Sequence, residues 1–157
     1  MCIRDSCMSI SQIGVFVENH PGHVARVLDA FVEAEVQVRG YCMSDTGDYG
    51  IVRFVVDNPE KAKQVLADMG CAVVAKEVLC LRLPDRPGEL ARIMGVFAKL
   101  NINVEYSYSL VSTYIAISVK DLAAAEEALK KETVELIDQA QLTALVDLDR
   151  SNAQEGR

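Results

Sequence analysis

Hydrophobic and polar residues alternate in several short stretches of the chain, and the segments between these stretches carry apolar residues at helical spacing. The alternation predicts strands over residues 10–18, 36–43, 49–56, 71–76, 77–83, 103–109, 113–119 and 134–141. The stretch 142–148 extends the last of these strands. The helical spacing predicts helices over residues 22–34, 59–69, 88–100 and 122–131. The predicted order is therefore β-α-β-β-α-β, and it occurs twice.

This order predicts an α+β fold made of two ferredoxin-like βαββαβ units, each with an antiparallel sheet and two helices on one face. The predicted domains are residues 9–76 and 77–148. Because each unit is small and no linker separates them, we expect the two sheets to pack side by side. The expected result is one eight-stranded sheet with four helices on one face.

The same alternation predicts which residues face the helices. These positions are Ile13, Val15, Val17, Val38, Val52 and Phe54 in the first unit, and Leu79, Leu81, Leu83, Val104, Ile115 and Ile117 in the second. The opposite face carries the charged residues Arg39, Arg53, Arg82 and Glu105. A sheet face with this much charge is predicted to be solvated.

A loop of similar composition precedes the first helix of each unit. The tetrapeptide 19–22 (Asn-His-Pro-Gly) recurs as 85–88 (Asp-Arg-Pro-Gly), at an offset of 66 residues. Proline suits the first turn of a helix, whose free N–H groups attract an anion. The side chain of Asn19 or Asp85 can accept a hydrogen bond from an ammonium group. Self-similarity at one long offset indicates that the unit was duplicated.

The charge and cysteine content narrow the class of function. The chain has 23 acidic and 16 basic residues and a net charge of −7, which disfavours binding to nucleic acid or to an anionic membrane. No apolar run approaches the roughly 20 residues that cross a bilayer. The five cysteines have no Cys-x-x-Cys spacing, and no signal-peptide pattern is present. We therefore expect reduced thiols and a cytoplasmic location.

The two ends of the chain differ from the rest. Residues 1–6 (MCIRDS) resemble the translation of a sequencing-library adapter, so residues 1–8 are predicted to be non-native or disordered, with the true start near Met8. Residues 149–157 are polar and are predicted to form a disordered tail.

The repeated loop resembles the signature of the ACT domain. The pattern Asp/Asn-x-Pro-Gly-x-Leu/Val-Ala-x-Ile/Val occurs at residues 19–27 and 85–93, and Asn101-Ile102-Asn103-Val104 resembles the opening of the family's second strand. The resemblance covers about residues 9–145 and identifies a stand-alone tandem ACT protein. It implies a ferredoxin-like fold that binds small ligands, usually amino acids, and regulates amino-acid metabolism. Family ligands commonly lie where the Pro-Gly loop meets the second strand of a paired domain.

The resemblance implies a set of ligand-binding residues. They are Asn19, Pro21, Gly22, His23, Val24 and Tyr41 of the first unit, and Asp85, Pro87, Gly88, Glu89, Leu90, Tyr106, Ser107 and Tyr108 of the second. The ligand carboxylate would take N–H groups at the helix start, and its ammonium would take Asn19 or Asp85. Two alternatives stay open. Asn19 and Asp85 could only cap helices or brace turns. Residues 106–109 could line a pocket with their hydroxyl groups, or they could form an ordinary strand.

The sequence contains no catalytic set of residues, so we predict that the protein is not an enzyme and needs no cofactor. His20 and His23 lack a third ligand, so no metal site is predicted. The favoured function is an amino-acid sensor, assembled as a homodimer, that signals to a partner. The alternatives are a regulatory subunit of an amino-acid metabolic enzyme, as in acetolactate synthase, and an assembly module without a ligand.

Overall fold

The computed structural model describes residues 8–18, 21–45, 47 and 49–145, so the predictions for residues 1–6 and 149–157 lie outside the described residues. The described residues form six strands and five helices. These are β1 Ser9–Glu18, α1 His23–Glu33, β2 Val38–Asp45, β3 Tyr49–Val56, α2 Pro59–Asp68, β4 Val73–Arg82, α3 Glu89–Lys99, β5 Val104–Ser109, β6 Tyr114–Val119, α4 Leu122–Leu129 and α5 at 139–145. None of the helices in this part of the chain is long and apolar enough to cross a membrane.

The chain divides into two compact units. The first contains the described residues of 11–76 and 142–145, and the second contains 8–10 and 77–141. Strand order is β2-β3-β1-β4 in the first unit and β4-β6-β5 in the second. Strand pairing is antiparallel within each unit, between β1 and β3, β2 and β3, β4 and β6, and β5 and β6. The predicted α+β class is confirmed.

Each unit has its own apolar core between one sheet face and two helices. In the first core, Val27 and Phe31 of α1 and Leu66 of α2 are buried against the sheet, and the rings of Phe31 and Phe54 meet edge to face at 5.3 Å. In the second core, Phe97 of α3 is buried together with residues of α4, β4 and β6. All twelve predicted core positions lie in these two cores, buried or partly buried. The alternation of apolar residues therefore identified the correct sheet face.

The loop after each long helix has the same geometry. Glu35 and Asn101 follow α1 and α3 with φ angles of 59° and 54°, and Gly70 follows α2 with a φ of 74°. The next backbone N–H in each case returns to a carbonyl of the last turn, as in Val36 to Phe31 at 2.8 Å. This left-handed closure satisfies carbonyls that the helix leaves unpaired.

The prediction of eight strands is wrong. The predicted strands 71–76 and 77–83 form the single strand β4, because no turn residue interrupts the alternation between them. The predicted strand 134–141 is reduced to one isolated bridge between Leu81 and Leu136, and the described residues 142–145 of its extension are helical. Helix α5 begins instead, because Asp138 and Gln141 exchange side-chain-to-backbone hydrogen bonds at 2.8 and 2.9 Å. This reciprocal pair is a capping box, which starts a helix.

The prediction that the charged face is solvated is wrong at Arg39. This side chain is only 6 % exposed, whereas Arg82 and Glu105 are exposed. Strand β2 has a register shift between Val38 and Gly40. Glu105 lies at an equivalent register shift and is exposed, so the shift alone does not bury Arg39. The face opposite the core also contains Val55 and Ala116, which are fully buried and outside the two cores, so the four charged residues did not represent that face.

Candidate functional site

A concave pocket of about 310 Å³ lies beside the start of α3 in the second unit. One wall is the β4–α3 loop and first helical turn, at residues 83–90, and the other is the β5–β6 hairpin, at 109–115. A backbone hydrogen bond from Leu83 to the carbonyl of Thr113 joins these two walls. The volume lies at the lower end of the range of small-molecule sites.

The glycines of the two Pro-Gly loops adopt the same backbone conformation. Gly22 and Gly88 occupy the N-cap positions of α1 and α3 with φ angles of 90° and 87°, and neither cap has a side-chain hydrogen bond. A Cβ at either glycine would meet no atom within 4 Å, so the positive φ, and not crowding, requires glycine here. The two helix starts are therefore left uncapped by side chains.

Asp85 lies in the pocket wall and is exposed. Within the described part of the chain, its carboxylate forms no hydrogen bond or ion pair, and it does not cap α3. A charged acceptor without a protein partner is suited to a cationic group such as an ammonium. The helix-capping alternative considered for Asp85 is therefore not what the structure shows.

A second carboxylate in the pocket, that of Glu89, is already paired. Its Oε2 accepts hydrogen bonds from Arg92 Nε at 3.1 Å and from Arg92 Nη2 at 3.0 Å. Its Oε1 lies 3.6 Å from Arg86 Nη2, and the Glu89 side chain is only 16 % exposed. The Arg86 side chain is 70 % exposed and lines the same pocket. The pocket therefore presents an unpaired carboxylate and an accessible guanidinium on adjacent residues.

The hairpin wall supplies hydroxyl groups, and the sequence indicated Ser109 as a possible lining residue but missed Ser112 and Thr113. Ser109, Ser112 and Thr113 line the pocket, and Ser112 has a φ of 58°, a conformation that a non-glycine residue rarely adopts. Burial, with a further contribution from the Glu135 carboxylate, raises the pKa of Tyr114, which also lines the pocket. The Ser-Thr turn between the two strands was the sequence signal for this wall.

The predicted residues of the second unit are only partly brought together. Asp85, Glu89 and Leu90 line the pocket, whereas Pro87 and Gly88 are exposed outside its lining. The rings of Tyr106 and Tyr108 stack at 6.5 Å on strand β5 and do not line the pocket. Their cross-strand partners are Ser118 and Ala116, on the sheet face opposite the core. Ser107 pairs with the core residue Ile117, but it is exposed and does not line the pocket either.

In the first unit the predicted residues are dispersed. Asn19 lies outside the described residues, and Pro21 and Gly22 are exposed. Val24 packs against the first core, and Tyr41 is 62 % exposed on strand β2. His23 is half-buried and lines a separate cavity next to Arg26.

The described structure has two small α+β units, each with a glycine-capped helix start, and a small-molecule pocket beside one of them. These features define a class of regulatory domains that bind small ligands. The chain matches the family of ACT domain pairs over residues 8–147 and belongs to that family. Membership supports a regulatory, ligand-binding role rather than a catalytic one.

Solved structures share the fold. The protein BT0572 from Bacteroides thetaiotaomicron is 27 % identical, with a TM-score of 0.79 over 85 % of this chain and 94 % of that one. The ligand-free regulatory subunit of aspartate kinase from Thermus thermophilus is 20 % identical, with a TM-score of 0.59 over 78 % of this chain and 89 % of that one. No protein with a curated description matches the chain.

Proposed function

We propose that this protein binds a free amino acid in the pocket beside α3 and passes the bound state to a partner protein. The observation that carries the proposal is the Asp85 carboxylate, which lies in the wall of a small pocket and pairs with none of the described residues. Burying part of an ammonium group beside this carboxylate gives a charge-assisted hydrogen bond, which is about twice as strong as a neutral one.

The pocket also offers a place for the ligand's carboxylate. The Glu89 N–H already donates to the Arg86 carbonyl at 3.3 Å, so the Arg86 guanidinium is the stronger donor at this wall. The start of α3 adds a favourable dipole of roughly 0.3–1 kcal/mol. Apolar Leu90 and the hydroxyls of Ser109 and Thr113 surround the space left for a side chain. The site therefore complements both charges that all amino acids share.

The direct test is a thermal-shift screen of the twenty amino acids, followed by titration calorimetry of the best ligand. A ligand that binds only the folded state raises the melting temperature as its concentration rises. Losing a hydrogen bond to a charged group costs about 1.5–3 kcal/mol, so Asp85→Ala should weaken binding about tenfold or more.

The matched control is Asp29→Ala. Asp29 is exposed and belongs to the first unit, so its substitution removes one negative charge without changing the pocket. We expect Asp29→Ala to bind like the wild type. The proposal is contradicted if no amino acid at millimolar concentration shifts the melting curve, or if both substitutions reduce affinity equally.

The proposed partner is an enzyme of amino-acid metabolism. The support is the family's regulatory role, together with the shared fold of a protein that is the regulatory subunit of aspartate kinase in Thermus thermophilus. Affinity purification from the native host, with and without the amino acid found in the screen, should recover such an enzyme in a ligand-dependent amount. Recovery of no enzyme under either condition would favour a sensor that acts without one.

We also propose a homodimer in the cytoplasm. Strand β2 pairs only with β3 within its unit and carries the exposed side chains Tyr41 and Met43. Unpaired apolar edge strands are usually covered. Cys42, Cys71 and Cys80 are free thiols, which fits a reducing compartment. Light scattering at micromolar concentration should give twice the chain mass, and a monomer mass would contradict the dimer.

A further inference from the structure

A second cavity, of about 300 Å³, lies in the first unit and is separate from the pocket beside α3. It is formed by the end of β1, the first turn of α1, and the segment 69–72 that follows α2. Its lining includes the cationic side chain of Arg26, the imidazole of His23, and the apolar side chains of Phe16 and Met69. Glu18 is the acidic residue in this lining.

The second unit shows what the counterpart of Arg26 binds. Arg92 is the equivalent residue, 66 positions later in the duplicated helix. It donates two hydrogen bonds to the Glu89 carboxylate, at 3.1 and 3.0 Å, and a third to the carbonyl of Thr133 at 2.7 Å. The guanidinium at this position of the fold is therefore held by a carboxylate from within the chain.

The first unit lacks that carboxylate. His23 stands where the second unit has Glu89, at the same offset of 66 residues. In the first unit the N–H of Phe16 donates to the carbonyl of Ala72, and in the second unit the N–H of Arg82 donates to the carbonyl of Glu135. Because Phe16 and Arg82 are equivalent, Ala72 is equivalent to Glu135. The segment after α2 therefore aligns with its counterpart at an offset of 63 residues.

The same alignment compares the acidic residues around the two arginines. Met69 replaces Glu132, and Ala72 replaces Glu135. In the second unit these two glutamates pair with Lys99 and Arg82. Together with the change from Glu89 to His23, three positions that carry carboxylates in the second unit carry none in the lining of this cavity. The Arg26 guanidinium forms no ion pair or hydrogen bond with the described residues.

His23 has a defined orientation in the cavity wall. Its Nδ1 accepts a hydrogen bond from the backbone N–H of Glu18 at 3.1 Å. The proton of the neutral imidazole is therefore on Nε2, which can act as a donor. The second unit has Pro84 at the position of Glu18, and proline has no N–H to offer. His23 therefore accepts a hydrogen bond from a backbone N–H that has no equivalent at Pro84 of the second unit.

We propose that this cavity binds a small monocarboxylate with an apolar body, whose carboxylate takes the place that Glu89 has in the second unit. Arg26 donates to the carboxylate in the two-bonded geometry that guanidinium groups favour. Phe16, which is 42 % exposed, and Met69 contact the apolar body. Glu18 disfavours a dianion such as inorganic phosphate by charge repulsion. This site is independent of the amino-acid pocket proposed above.

Titration calorimetry with 3-phenylpropionate tests the proposal, and neutral 3-phenylpropanamide and inorganic phosphate serve as comparison ligands. We expect saturable binding of the carboxylate, and binding at least tenfold weaker for the amide and for phosphate. Arg26→Gln should weaken carboxylate binding at least tenfold. The matched control Lys61→Gln removes one exposed positive charge from the same unit and should leave binding unchanged.

A second variant tests the same site by a gain of stability as well as by a loss of binding. His23→Glu places a carboxylate three residues before Arg26, as Glu89 is placed before Arg92, and should both abolish carboxylate binding and raise the melting temperature. Asp85→Ala should leave 3-phenylpropionate binding unchanged, which separates this site from the amino-acid pocket. The proposal is overturned by the absence of saturable binding in the wild type, by equal binding of the amide or phosphate, or by unchanged binding in Arg26→Gln.

Discussion

Glu126 provides a sharp test of how this fold handles a buried charge. The residue lies on α4, is only 6 % exposed, and its Oε1 forms no hydrogen bond with the described residues. Burial raises the pKa of this carboxyl group, and the Glu77 carboxylate adds to the effect. A backbone hydrogen bond from Met8 and the Lys130 ammonium act in the opposite direction. The net shift means that folding favours the protonated form.

The sign of the pH dependence follows from that shift. Below the ordinary pKa of about 4.5, Glu126 is protonated in both the folded and the unfolded states, and it carries no charge penalty. As the pH rises through the raised folded pKa, the unfolded state releases its proton more easily, so stability is lost. At neutral pH the folded protein holds a buried carboxylate that lacks part of its hydrogen bonding.

We therefore expect Glu126→Gln to stabilise the protein at pH 7. Glutamine keeps the shape and the acceptor oxygen but removes the charge, so it relieves the desolvation of the carboxylate and gives up the attraction of Lys130. A net gain of about 1 kcal/mol is expected, which corresponds to about 2–4 °C in melting temperature for a chain of this size. At pH 4 the gain should largely disappear, because the wild-type carboxyl group is then mostly protonated.

Urea denaturation at pH 7 and pH 4 measures this difference. The matched control is Glu127→Gln, because the neighbouring Glu127 side chain is 72 % exposed and pairs with Lys130 at 3.5 Å on the surface. Its change should stay within about 0.5 kcal/mol at both pH values. The reasoning is refuted if Glu126→Gln is less stable than the wild type at pH 7, or if its gain is the same at both pH values.

Three further changes test the local structure. Glu35→Asn, which copies Asn101 at a left-handed helix end, should raise the unfolding free energy by about 0.5 kcal/mol in urea, and a loss would contradict this. Burial raises the pKa of Cys80 to about 12. Iodoacetamide at pH 8 should therefore modify Cys71 but spare Cys80 in peptide mass mapping, and equal labelling would contradict the burial. Stability should fall as the pH rises from about 9 towards 12. Asp138→Ala should lower thermal stability by about 1 kcal/mol by removing the cap of α5, and an unchanged melting curve would count against it.

Sequence periodicity predicted the elements whose signal is local. The alternation at Val52 and Phe54 identified their buried face. Asn58 and Asp121 stand directly before α2 and α4, and their side chains accept hydrogen bonds from the backbone N–H groups of Lys61 and Ala124. The strand break at residue 77 was inferred from the assumption that each unit closes its own sheet, and not from any turn residue. The longer strand β4 could not be predicted from periodicity alone.

Some residues of the candidate site could be predicted from the local sequence, and others depend on how the strands pair. Asp85 and Leu90 follow directly from the loop motif. Tyr106 and Tyr108 were predicted to contact the ligand because ligands of the family commonly lie against the second strand, on which these residues share the parity of Val104. The register shift after Val104 reverses that parity, so Ser109 lines the pocket instead. A one-residue bulge moves every later side chain to the other face, and only strand pairing reveals it.

The central claim is that an amino acid binds beside α3. Nuclear magnetic resonance titration of the ¹⁵N-labelled protein with the amino acid selected by the thermal screen tests this claim residue by residue. We predict saturable amide shifts concentrated at 83–90 and 109–115, with the same dissociation constant throughout, and loss of these shifts in Asp85→Ala. Saturable shifts confined to other residues, or unchanged shifts in Asp85→Ala, would contradict the account.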